Sequence, residues 1–207
     1  MEVRESGKRT ARRGLLEGFG ARPGQFAAGA SPPYRCSSTD SSPAPLNITI
    51  EASRDAADRQ ACARMMCTSE PWVTLRRDYD RCLTVVSDPT RELYVALADS
   101  EVVGFIVLNM AGQFPGYIQT VCVAESARGH GVGAQLVSYA EARIGRVSPN
   151  VFLCVSSFNP GAKRLYERLG YEFVGTLKDY LVEGHDELLY RKTIGPWSTF
   201  VPAVKPA

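Results

Sequence analysis

Histidine is scarce in this chain: only His130 and His185 occur among 207 residues. The six cysteines, at positions 36, 62, 67, 82, 122 and 154, form no C-x-x-C pair. Without paired thiols or an imidazole cluster the usual zinc ligand spacings are absent, so no metal site is predicted. No stretch approaches the ~20 apolar residues of a membrane span, and the N-terminus shows no secretory apolar segment. No membrane partner is expected. An excess of one charge is also missing: 24 Lys and Arg face 22 Asp and Glu, for a net +2. That balance offers no electrostatic case for a nucleic-acid partner. Cys122 and Cys154 lie in apolar strand patterns, where a free thiol packs as a small hydrophobe. Such usage points to a reducing compartment, and the expected location is the cytoplasm.

Apolar residues make up 44% of the chain, enough for one ordinary α/β domain with tails. Residues 1–45 hold six Gly, five Pro and six Ser with no sustained period, and are predicted to form a disordered tail. They carry seven basic against four acidic residues, the remainder seventeen against eighteen. Arg9, Arg12 and Arg13 imitate a transit peptide, but Glu2, Glu5 and Glu17 argue against one. The domain, residues 46–195, opens with a strand at 47–51. A helix follows from Asp55 to about Met66, and a second from Thr74 or Leu75 to about Val86. Strands at 91–98 and 102–108 flank a short hairpin connection. Further strands are predicted at 117–123, 151–155, 171–177 and 187–193, with helices after residue 134 and after Asn159. Residues 196–207 read as a C-terminal tail. The order is β-α-α-β-β-β-α-β-α-β-β.

Between the strand at 117–123 and its helix lies Arg128-Gly129-His130-Gly131-Val132-Gly133-Ala134. Glycines let backbone N–H groups approach an anion closely, and a helix N-terminus adds unpaired donors and a favourable dipole. Diphosphate binding is the chemistry implied. No Lys-Ser or Lys-Thr follows, so a P-loop is excluded. The spacing is G-x-G-x-G, and the next strand runs into Ser156 and Ser157 instead of an acidic residue, against a dinucleotide fold.

Arg128-x-x-Gly131-x-Gly133-Ala134 resembles the acyl-coenzyme A loop of the GCN5-related N-acetyltransferases (GNAT). A second block, Asn159-Pro160-Gly161-Ala162-Lys163-Arg164-Leu165-Tyr166-Glu167-Arg168-Leu169-Gly170-Tyr171, resembles the Asn…Ala…Leu-Tyr-Glu…Leu-Gly-Phe segment of the same superfamily. The two stand in the right order across one intervening strand. The resemblance covers roughly residues 46–195. It implies an α/β (α+β) fold with a mixed, mostly antiparallel sheet flanked by helices, and acetyl-coenzyme A as cosubstrate.

By that resemblance the N–H groups of 129–134 hold the diphosphate, His130 contributing its backbone alone, with Arg128 adding charge. The arm's amides pair with an exposed edge at Val121, Cys122 and Val123, where strand 117–123 splays from strand 151–155. A backbone N–H from Cys122 or Val123 would face the thioester oxygen, a contact typically worth about 3 kcal/mol. Asn159 before Pro160 fits a helix N-cap, and by resemblance also lies near the arm. Tyr166 would point its hydroxyl at the coenzyme sulfur. A phenol near pKa 10 protonating a thiolate near 8.5 is uphill by about 2 kcal/mol, which favours a hydrogen bond over full transfer.

The expected acceptor is a small-molecule or peptide amine, and a homodimer stays open. A primary amine near pKa 10.4 is about 99.9% protonated at pH 7, so a base or water relay is needed. Ribosomal-protein N-terminal acetyltransferases place a Glu in a Leu-Glu-Val-Arg strand; this chain has Leu153-Cys154-Val155-Ser156. Other carboxylates expected near the acceptor side are Glu70, Asp179, Glu183, Asp186 and Glu187, each read as a solvated charge ahead of a base. His185 has a suitable unperturbed pKa but sits in a turn. An acyl-enzyme on Cys122 or Cys154 lacks a nearby His or Lys partner in sequence. A coenzyme-binding sensor without turnover is the alternative function.

Overall fold

The structure, a computed structural model, describes residues 46–203; the predicted tail over 1–45 lies outside them. The elements run β1 (Thr49–Ala52), α1 (Ala56–Cys67), α2 (Tyr79–Ser87), β2 (Glu92–Ala98), β3 (Glu101–Asn109), β4 (Tyr117–Val123), α3 (Val132–Ile144), β5 (Asn150–Ser156), α4 (Pro160–Arg168), β6 (Glu172–Val182) and β7 (His185–Thr193), with 3-10 turns at Glu125–Ala127 and Trp197–Thr199. This is the expected order. The seven strands form one sheet in the order β1-β2-β3-β4-β5-β7-β6, antiparallel throughout except for β4 with β5.

Helix α1 is capped by the Asp55 carboxylate, which accepts from the Ala57 and Asp58 N–H groups at 2.8 and 3.1 Å. The second helix begins later than its pattern predicts. Arg76 adopts the left-handed region, φ 54°, which an L-residue helix does not tolerate. Asp78 then caps α2 by accepting from the Arg81 N–H at 2.9 Å. Between the helices, residues 69–77 form a turn-rich loop instead of a first helical turn.

Helices cover both sheet faces, so β3 is buried almost continuously, as expected of a doubly covered strand. Phe105 and Val107 pack with Cys62, Met66, Cys82 and Val86 of α1 and α2. Ile106 and Leu108, one step out of phase, pack with Leu136, Val137 and Ile144 of α3. Lys192 on β7 and Glu141 on α3 meet at 2.7 Å. Beyond β7, the Ile194 N–H donates to the Pro149 carbonyl at 3.0 Å and the Ala203 N–H to the Arg146 carbonyl at 2.9 Å.

Strand β4 carries the irregularity that matters. Thr120 pairs with Val107 but Ile118 with Leu108, leaving Gln119 as an extra residue. A bulge bends its strand and shifts which face later side chains occupy. Ile118 accordingly packs on the α3 side and Cys122 on the α1–α2 side, although four residues separate them. The parallel pairing of β4 with β5 covers only Tyr117 with Phe152 and Ile118 with Leu153. Past that point the two strands separate.

Gly116 closes the joined end, where the Phe152 N–H donates to its carbonyl at 3.1 Å. Its φ is +89°, and a Cβ there would lie 2.5 Å from Ile144 Cγ2 and 2.8 Å from the Asn150 carbonyl oxygen. Gly116→Ala is therefore expected to cost about 2–3 kcal/mol, strain and overlap combined. Gly175→Ala meets nothing within 4 Å and has no positive φ, so it should be neutral or slightly stabilising. Urea midpoints of the two variants check this; equal midpoints would refute it.

Candidate active site

The separation of β4 from β5 opens a cleft of about 320 Å³. Gln119, Thr120 and Val121 line one wall, and Cys154, Val155 and Ser156 the other. Ala162 and Tyr166 of α4 enter it, as does Asn159. Pro71, Trp72 and Leu75 from the α1–α2 loop and Tyr180 and Leu181 from the β6–β7 hairpin also border it.

Backbone direction on β4 follows from one bond. The Ala124 N–H donates to the Val103 carbonyl at 2.9 Å. Alternation along an antiparallel pair then turns Cys122, opposite Phe105, toward β3 and turns Val121 and Val123 toward the open side. Of these two residues it is thus Val123, not Cys122, whose N–H points away from β3, on the side where β5 has parted. The Val123 carbonyl accepts from Arg128 Nε at 3.2 Å. The Arg128 Nη2 reaches Ser69 Oγ at 3.4 Å, tying the loop after β4 to the α1–α2 loop.

Gly129 and Gly131 hold φ values of 83° and 79°, the left-handed region that favours glycine. Gly131 occupies the N-cap of α3 and offers no side-chain acceptor. The first-turn amides of Val132, Gly133 and Ala134 thus keep their donors for a ligand. Gly133 sits 3.5 Å from Leu165 and 3.8 Å from Val123, measured from the position a Cβ would take. The glycine run, the end of β4 and helix α4 therefore meet. His130 lies between the two left-handed glycines.

The Asn159 side chain caps α4 by accepting from the Ala162 N–H at 3.1 Å, with Pro160 in the first turn. Capping of this geometry aims α4 so that Tyr166 turns inward. Tyr166 is 7% exposed and its ring meets Tyr171 edge to face at 5.7 Å. The hydroxyl has no hydrogen-bond partner among the described residues, and the residue borders the cleft. Burial pushes its pKa well above the ordinary tyrosine value, so the phenol keeps its proton.

The two cysteines differ in position. Cys122 is buried among Cys62, Cys82 and Phe105, and burial pushes its thiol up to about 12 against the pull of Ser69 and Arg128. Cys154 borders the cleft, and burial raises its thiol too. Neither thiol is activated as a nucleophile.

The carboxylates read as solvated charges separate into two groups. Glu70 accepts from the Thr74 backbone and hydroxyl. Asp186 accepts from the Asp179 N–H at 3.2 Å and Asp179 from the Gly184 N–H at 2.6 Å, shaping the β6–β7 hairpin. Glu183 is exposed. Glu187 departs from the reading: it is 4% exposed, faces the cleft and accepts from Ser156 Oγ at 2.5 Å. Burial raises its pKa, with the Ser156 bond opposing.

Residues 57–171 match the Acetyltransferase (GNAT) family, and the chain belongs to that family. An N-alpha-acetyltransferase of Sulfurisphaera tokodaii is 29% identical over 109 residues, covering 46% of this chain. The match spans 65% of that relative's own length. Among solved structures, a GNAT-family protein from Desulfovibrio desulfuricans superposes with TM-score 0.62 at 16% identity, over 72% of this chain and all of the other. YncA from Salmonella typhimurium, solved with its cofactor acetyl-CoA, gives TM-score 0.59 at 19% identity, over 72% and 95%. The likenesses to these two structures show the fold.

Replacing Asn159 by Ala removes the single side-chain cap of α4. A loss of about 1 kcal/mol is expected, read as a lower urea midpoint with an unchanged slope. No change in midpoint would mean that the cap contributes nothing to holding α4.

Proposed function

We propose that this chain is an acetyl-coenzyme A-dependent N-acetyltransferase that transfers the acetyl group to a primary amine by direct attack in a ternary complex. The parting of β4 from β5 carries the reading, because it offers an unpaired backbone edge inside a sheet, leading to the amides at the start of α3. A cofactor arm with two amides would add to that edge as a short strand does, using Val121 and Val123. The Val123 carbonyl retains a second lone pair beside Arg128. The diphosphate would sit on the N–H groups of 129–134, with Arg128 nearby.

The thioester oxygen would then face the Val123 N–H, and the sulfur would approach the Tyr166 hydroxyl. Since burial raises that hydroxyl further above a thiol's pKa, full proton transfer to the thiolate becomes more uphill. Tyr166 instead donates a hydrogen bond that strengthens as negative charge builds on sulfur. Direct attack is favoured over an acyl-enzyme by the raised thiols of Cys122 and Cys154.

Thiol release from acetyl-coenzyme A tests the reading against three amines: a peptide with a free α-amino group, spermidine and kanamycin. Turnover with at least one is expected. Tight cofactor binding without release from any would overturn it and favour a coenzyme-binding sensor.

Gly131→Val forces a β-branched residue into φ +79° in front of the first-turn amides. Acetyl-coenzyme A affinity should fall at least tenfold, about 1.4 kcal/mol, by titration calorimetry; unchanged affinity in a folded variant would refute the loop's role. Tyr166→Phe keeps the ring packing and removes one transition-state contact. kcat should fall between about tenfold and a few hundredfold while the KM for the cofactor barely moves. An unchanged kcat with rate-limiting chemistry would return Tyr166 to a packing role.

A further inference from the structure

We infer that Glu187 is the general base of this transfer, taking a proton from the acceptor's ammonium on the β5–β7 wall of the cleft. The inference rests on the acetyltransferase reading above. Among the described residues, Glu187 is the one carboxylate that borders the cleft. Its place follows from strand register: Glu187 on β7 lies directly opposite Ser156 on β5, so the serine hydroxyl holds Oε1 at 2.5 Å. Oε2 has no hydrogen-bond partner among the described residues and is not sealed from solvent. A buried carboxylate with one oxygen anchored and the other open to the cleft is oriented to receive a proton there.

The surrounding groups leave this role to Glu187. Tyr117 on β4 and Cys154 on β5 are both pushed up, chiefly by burial and also by the Glu187 charge, so they stay protonated. Tyr180 on β6, and Arg77 and Arg91, also border the cleft. His185, two residues along β7, meets the Phe158 ring edge to face at 4.8 Å. Burial raises the Glu187 pKa, which narrows its gap to an amine and makes it a stronger base than an exposed carboxylate.

The proton moves from the ammonium to Oε2, leaving a neutral amine and a carboxylic acid. The amine lone pair attacks the thioester carbon and forms the C–N bond. The C–S bond then breaks, its electron pair leaving on sulfur. The second nitrogen proton leaves to solvent. The thiolate, held by a hydrogen bond from the Tyr166 hydroxyl, takes one proton from solvent to become the thiol, and Glu187 returns its proton to solvent. The products are an amide, a free thiol and one released proton.

The test uses the full chain and the peptide α-amine, or whichever amine of the panel turns over fastest. Glu187→Gln preserves size and hydrogen bonding but accepts no proton. At pH 6.5 we expect kcat/KM to fall about a hundredfold or more, with cofactor affinity and melting temperature unchanged. The deficit should shrink below about tenfold near pH 9, where an α-amine of pKa about 8 supplies its own neutral form. Wild-type activity should fall as pH drops through the raised Glu187 pKa. Ser156→Ala removes a donor that favours the ionised carboxylate, so it should move that acid limb to higher pH, and it serves should Glu187→Gln fail to fold. A deficit under threefold, a deficit constant with pH, or a limb unmoved in Ser156→Ala would overturn the base assignment while leaving the acetyltransferase reading intact. Cofactor binding without thiol release from any amine, in the wild type, would overturn both.

Discussion

Two residue pairs hold β4 to β5, Tyr117 with Phe152 and Ile118 with Leu153, and the site depends on their number being so small. Strands inside a sheet normally satisfy their backbone groups on both sides. Here the Gln119 bulge bends β4 away just where pairing would otherwise continue. An internal strand thereby acquires an edge. Gly116 keeps the other end shut, since only a residue without a side chain fits between Ile144 and the Asn150 carbonyl. A wedge of this kind, closed at one end and open at the other, leaves the backbone of Val121 and Val123 unpaired on that side, and the first turn of α3 meets the end of β4 at Gly133 and Val123.

Exposed edges invite pairing with other chains, and this one is fenced. Trp72 and Leu75 from the α1–α2 loop, and Tyr180 and Leu181 from the β6–β7 hairpin, border the cleft beside it. Both fences rest on unusual backbone. Arg76 and Asp179 each hold a positive φ, and Asp179 and Asp186 spend their carboxylates on hairpin N–H groups. Glu187 borders the same cleft, and its burial there raises the basicity of the carboxylate.

Local signals in the chain were strong wherever a backbone requirement selects a residue type. Left-handed φ at 129 and 131 calls for glycine, a helix start calls for Asn159 followed by proline, and doubly covered strands call for runs such as Val102–Leu108. The order of elements and the loop were therefore legible, as was the inward helix bearing Tyr166. The start of α2 was not, because Thr74 and Leu75 suit a helix and nothing in sequence marks the left-handed turn at Arg76. Nor was Glu187 distinguishable from Asp179, Glu183 or Asp186, its neighbours in a charged stretch. Sequence by itself determined which segments become strand, turn and helix, and that the glycine run can offer amides to an anion, because those depend on residues close along the chain. The tertiary structure decided that the Val123 N–H and not that of Cys122 points away from β3, that Cys122 is buried while Cys154 borders the cleft, and that one carboxylate among five is held by Ser156. Those outcomes turn on a one-residue bulge and on strand register between segments 31 residues apart, where a shift of one position exchanges the two faces of the sheet.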